Sequence, residues 1–120
     1  DTRARMILVF TDLLKGIQTQ KELFEKYVAY RMQHWISFKQ EEIEKSGFQW
    51  IAAEIVRLGQ ANGELRADLP PGVLEDLCEY VFMLTIKSFY LNPESFNVSG
   101  TIEHSVDIFM NGARHRLKEV

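Results

Sequence analysis

The chain has 120 residues, 46% hydrophobic and 26% charged, which fits one globular domain, residues 1–120, large enough to bury its own core. Its 14 basic and 17 acidic residues leave a net charge of −3, which argues against this segment neutralising nucleic-acid phosphates by itself. One cysteine, Cys78, excludes an internal disulfide framework and fits a reducing, cytoplasmic setting, and no apolar run approaches the roughly 18 residues of a membrane span.

Arg3 to Ile17 reads as a first helix. Met6, Phe10, Leu13, Leu14 and Ile17 recur at three- and four-residue steps, and Gly16 is the expected stop. No secretory leader is read at the start, and the opening at Asp1 suggests a fragment of something longer. Thr19-Gln20-Lys21-Glu22 reads as a capping box that opens a second helix running to about Lys45. Its stripe mixes aromatic bulk with polar tips: Leu23, Phe24, Tyr27, Val28, Tyr30, Arg31, His34, Trp35 and Phe38. The charged second half, Lys39 to Lys45, is expected to be a solvated end.

Ser46-Gly47-Phe48-Gln49 is a second capping box. The helix it opens places Phe48, Ile51, Ala52, Ile55, Val56 and Leu58 on a core face and leaves Trp50 and Ala53 off it. Asn62-Gly63 then stops the helix, and Pro70–Pro71 starts another, since proline suits a first helical position. In that fourth helix Leu74, Leu77, Cys78, Val81, Phe82, Thr85 and Phe89 form one stripe, and Tyr80, Met83, Leu84 and Leu91 form a second. A helix apolar on two sides must touch two layers. Asn92-Pro93 ends it. Ser99 or Thr101 is expected to open the last helix, which carries Ile102, Val106, Phe109, Met110, Ala113 and Leu117 on one side and Ile108 and Gly112 on another.

Little in the sequence supports catalysis. There is no phosphate loop, no nucleophile elbow, and no paired spacing among His34, His104 and His115 for a metal. No cofactor or metal is expected, and the chain is read as a non-enzyme. The Asn97-Val98-Ser99 sequon matters only in a secreted chain. The group Tyr27, Tyr30, Arg31 and His34 shares one helical face. It fits either amphipathic packing, with Arg31 paired to a carboxylate, or a pocket wall with polar tips that orient a ligand.

The corner after the third helix carries a more specific pattern. Gly59, Gln60, Gly63, Glu64, Leu65, Arg66, Asp68 and Pro70 stand at the spacing of a run that resembles the ligand-binding domain of TetR-family transcriptional regulators. The stretch Phe109-Met110-Asn111-Gly112 is similar to that family's last helix. The resemblance implies an all-α regulatory domain of five main helices, the last two pairing in a homodimeric four-helix bundle. It also implies a parent protein with an N-terminal helix-turn-helix that contacts operator DNA, and a repressor that leaves the operator when a small molecule binds.

The expected ligand is an apolar or aromatic effector held between the first four helices against Phe10, Tyr27, Tyr30, Trp35 and Phe82, with Arg31 or His34 orienting it. The expected dimer seam holds Tyr80, Met83, Leu84, Lys87, Ile108 and Gly112. The rival expectation is a free-standing helical adaptor that never contacts DNA.

Overall fold

The computed structural model describes residues 1–35, 47–95 and 97–115, with His34 and Trp35 described by backbone alone. Among the described residues there are five helices: α1 (Thr2–Thr19), α2 (Lys21–Trp35), α3 (Gly47–Ala61), α4 (Pro71–Leu91) and α5 (Val98–Ala113). Among the described residues there is no strand, only an isolated bridge between Leu65 and Arg114. The fold is all-α, as the periodicity predicts.

α1 begins where the Asp1 carboxylate accepts from the Ala4 N–H at 2.7 Å, satisfying one of the donors that a helix start leaves open. The helix runs through Gly16 rather than stopping there, because the Gly16 carbonyl still accepts from the Gln20 N–H. The capping box at Thr19 does not form as expected. Thr19 closes α1, its hydroxyl donating to the Gly16 carbonyl at 2.9 Å. Gln20 alone separates the two helices, and its carbonyl accepts the first bond of α2 from Phe24. The expected continuation of α2 to Lys45, and the second capping box at Ser46, fall on residues outside those described.

The core collects one stripe from each of four helices: Met6, Phe10, Leu14 and Ile17 of α1, Ala52, Ile55 and Val56 of α3, Leu74, Cys78 and Phe82 of α4, and Ile102, Val106 and Phe109 of α5. α3 packs on α4, and α1 and α5 pack on each other and on this pair. α2 differs. Among its described side chains the only buried one is Arg31.

The α3–α4 corner is tied on every side. Gly63 takes φ +82°, the left-handed conformation that glycine adopts without a Cβ penalty. The Gln60 amide donates to the carbonyls of Arg66 and Leu69 at 3.1 and 3.4 Å. Glu64 accepts from the Thr2 N–H at 2.8 Å, so it caps α1 from a distance. Leu65 is buried against Gly59, so close that a Cβ at Gly59 would lie 2.5 Å from the Leu65 Cδ1. The Arg66 N–H donates to the Ala113 carbonyl at 2.7 Å, and the Arg66 guanidinium reaches both Asp68 and the Gly112 carbonyl. The motif therefore holds the start of α1, the end of α3 and the end of α5 in one knot.

Two boundaries differ from expectation. Asn97, not Ser99 or Thr101, caps α5, because its side-chain oxygen accepts from the Gly100 N–H at 3.0 Å. α5 is described to Ala113, so the expected extension to Leu117 lies outside the described residues.

Candidate functional site

α2 runs antiparallel beside α4. At its start, the Lys21 ammonium lies 5.5 Å from the Tyr90 ring centroid. Ten residues on, Arg31 meets Glu79. Between these anchors the side chains of α2 bridge to the body of the domain, and the space beneath them is incompletely filled.

That space is a cavity of about 390 Å³ where α1, α2, α3 and α4 meet. Its lining is Leu13 from α1, Leu23, Phe24 and Tyr27 from α2, Gly47, Phe48 and Ile51 from α3, and Phe82 from α4. Phe48 and Phe82 lie stacked with centroids 4.6 Å apart and planes 11° from parallel. Phe24 and Tyr27 meet edge to face at 6.3 Å. The volume falls within the range of small-molecule sites, which are mostly apolar with few polar groups.

Beside the cavity is the most deeply buried charge in the described structure. Arg31 is 4% exposed and Glu79 3%. Arg31 Nε donates to Glu79 Oε2 at 2.9 Å and a terminal nitrogen donates to Oε1, giving the two-pronged geometry that favours arginine over lysine. The Tyr27 hydroxyl donates to Glu79 Oε2 at 3.4 Å. The hydrogen bond to Glu79 raises the Arg31 pKa further, against the opposing effect of burial. Burial, and next the charge of Glu79, push the Asp76 carboxyl upward, with Arg31 pulling the other way. Tyr27 belongs to both features, since it lines the cavity and bonds Glu79.

The expected ligand residues are thus distributed unequally. Tyr27 and Phe82 line the cavity. Phe10 lies one layer deeper, fully buried, with its ring 5.0 Å from that of Phe82. Arg31 is engaged by Glu79 and is not part of the lining. Tyr30 is exposed and lies off the cavity. The side chains of His34 and Trp35 lie outside those described. Periodicity places Leu13, Phe24, Phe48 and Ile51 in packing stripes alone, without marking them as cavity lining. The only local mark on Glu79 is its helical phase with Phe82 and Ile86.

The opposite side of α4 has a second feature. Val73, Leu77, Tyr80, Leu84, Lys87 and Leu91 follow one another at alternating steps of four and three, and all are exposed. Leu77, at 46% exposure, belongs here and not to the core stripe where periodicity placed it. Beside this row, α5 presents Ile108 at 70% exposure and Gly112, whose missing Cβ would meet nothing within 4 Å. Met83 is half-buried at the edge of the row. Grooves flank it on both sides, one toward α2 and one toward Ser105 and Ile108 of α5.

No group of His, Cys, Asp and Glu suited to a metal ion occurs among the described residues. No described helix is long and apolar enough to cross a membrane. Comparison of the chain with family models, curated proteins and solved structures returned no match.

Proposed function

We propose that this chain is the effector-binding and dimerisation domain of a TetR-like transcriptional repressor of the cytoplasm. The parent protein contacts its operator through an N-terminal helix-turn-helix and releases it when a small apolar or aromatic molecule binds. The role assigned to this chain is binding, not catalysis.

The observation that carries the reading is the double use of α4. Phe82 on its inner side forms a wall of the cavity, while Tyr80 and Leu84 on its outer side stand in a solvent-exposed apolar row. One helix thus faces both a ligand-sized space and an exposed apolar surface. Exposed apolar rows of this kind mark interfaces. Two-fold pairing would set the same patch against itself, with Tyr80, Met83, Leu84, Lys87, Ile108 and Gly112 at the seam of a four-helix bundle. The corner from Gly59 to Pro70 adds the family resemblance. Its residues are structurally occupied, so the resemblance bears on fold and assembly more than on ligand choice.

The test is a gel shift with the parent protein and DNA from its own upstream region. The expected result is salt-sensitive, sequence-selective binding by the parent and none by residues 1–120 alone, whose net charge is −3. A parent protein that dimerises but never binds DNA would support the adaptor reading instead.

A further inference from the structure

We infer that Asn62 is a site of spontaneous deamidation, and that the carboxylate it gains drives Glu64 off the start of α1. The sequence holds two Asn-Gly pairs, Asn62-Gly63 and Asn111-Gly112, and all four residues are exposed. Their backbones differ. Asn111 and Gly112 lie inside α5, whose geometry commits the Gly112 N–H to the carbonyl four residues back. Asn62 and Gly63 lie past the end of α3. The Gly63 N–H makes a long bond of 3.3 Å to the Gln60 carbonyl, and the space beside Gly63 is open, since a Cβ there would meet nothing within 4 Å.

The reaction is attack of the Gly63 nitrogen on Asn62 Cγ. The nitrogen gives up its proton to hydroxide as the N–Cγ bond forms. The Cγ–Nδ2 bond breaks, and ammonia leaves with a proton taken from water. Water then opens the cyclic imide and leaves aspartate or isoaspartate at position 62. Negative charge develops on Asn62 Oδ1 during the attack, and the Glu64 N–H already donates to that oxygen at 3.0 Å. The departing Nδ2 donates to Glu64 Oε1 at 2.7 Å.

The consequence follows from what Glu64 holds. Its second carboxylate oxygen accepts from the Thr2 N–H at 2.8 Å. In the product an acceptor oxygen replaces the Nδ2 donor, so two carboxylates meet where a hydrogen bond stood. Like charges at such a separation repel. Glu64 is half-buried and can turn toward water, whereas Thr2 is fully buried and cannot follow. The Thr2 hydroxyl already has no partner among the described residues, so the start of α1 loses its tie to the corner without a local replacement. The rest of the corner does not use these side chains. The Leu65 N–H donates to the Gly59 carbonyl at 2.9 Å and the Arg66 N–H to the Ala113 carbonyl at 2.7 Å.

The experiment is incubation of the chain in mildly alkaline buffer. Peptide mapping reads the amide-to-acid mass change, and NMR reads amide hydrogen exchange in the converted chain. Asn62 should convert about tenfold faster than Asn111 or more, because Gly112 must first be freed from its helix. In the converted chain, and in Asn62→Asp, the Thr2 amide should exchange about tenfold faster than before, while the Arg66 amide keeps its protection. Asn62→Ser removes the reactive amide without adding charge, so Thr2 should keep its slow exchange. Conversion at Asn111 as fast as at Asn62, or none at either, overturns the site. Unchanged Thr2 exchange in the converted chain or in Asn62→Asp, or loss of protection at Thr2 and Arg66 together, overturns the link to α1. If Asn62→Ser frees Thr2 as much as Asn62→Asp does, charge is not the cause and the inference falls.

Discussion

The Arg31 guanidinium and the Glu79 carboxylate, 48 positions apart in sequence, join α2 to α4 through a two-pronged ion pair that is almost wholly buried. No other described side chain of α2 is buried. Phe24, Tyr27 and Val28 pack half-buried against the core, so among the described residues this pair is the one fully buried tie of α2, and Tyr27 and Phe24 beside it shape the cavity.

Removing one partner leaves the other buried and unpaired. Glu79→Ala and Arg31→Ala should each lower unfolding free energy by about 3–5 kcal/mol in urea titrations. The double variant Arg31→Met, Glu79→Leu should recover most of that loss, because apolar side chains of similar volume need no charge partner. Single variants as stable as the parent chain would show that α2 is held in some other way.

Cys78 is a buried thiol whose pKa is pushed up to about 12, first by burial and then by the charge of Glu79. Native protein should therefore resist iodoacetamide at pH 8, with labelling following the unfolded fraction. The linkage has a definite sign. A pKa raised in the folded state contributes stability that is fully present below the unfolded value of 9.0 and is lost as pH rises toward 12. Cys78→Ala should flatten that alkaline loss relative to the parent chain, after its own cavity cost is subtracted at neutral pH. An identical alkaline slope in both would contradict the assignment.

The corner glycines should differ in kind. Gly63→Ala places a Cβ on a residue at φ +82°, costing about 1 kcal/mol or somewhat more, with no collision. Gly59→Ala drives a methyl into the Leu65 side chain and should cost about 1–3 kcal/mol through overpacking. Pairing Gly59→Ala with Leu65→Val should relieve part of that cost, whereas the same partner change should only add to the cost of Gly63→Ala. Thermal melts of the four variants separate the two mechanisms.

Much of this fold is legible in the sequence because helical periodicity and stop signals are local. The α4 limits, Pro71 and Leu91, follow from proline chemistry at both ends. Sequence and structure part where two local signals compete. Thr19 carries a capping-box spacing but closes the preceding helix, since only Gln20 lies between α1 and α2. Leu77 fits the inner stripe by step length, yet the alternating row from Val73 to Leu91 claims it for the outer side. The cavity was harder to read. Phe24, Phe48 and Ile51 look like core residues in sequence, and an unfilled space among them depends on how four helices meet. Arg31 stood out by its place in an aromatic stripe, but its partner is long-range and only the phase of Glu79 with Phe82 hinted at burial.

The central claim is that the outer row of α4, together with Ile108 and Gly112 of α5, is covered by a second copy of the chain. Light scattering at tens of micromolar tests it most directly. The expected mass is twice the chain's 14.0 kDa, with Leu84→Glu or Gly112→Trp returning it to a monomer while helix content is retained. A parent chain that scatters as a 14.0 kDa monomer at that concentration would contradict the claim.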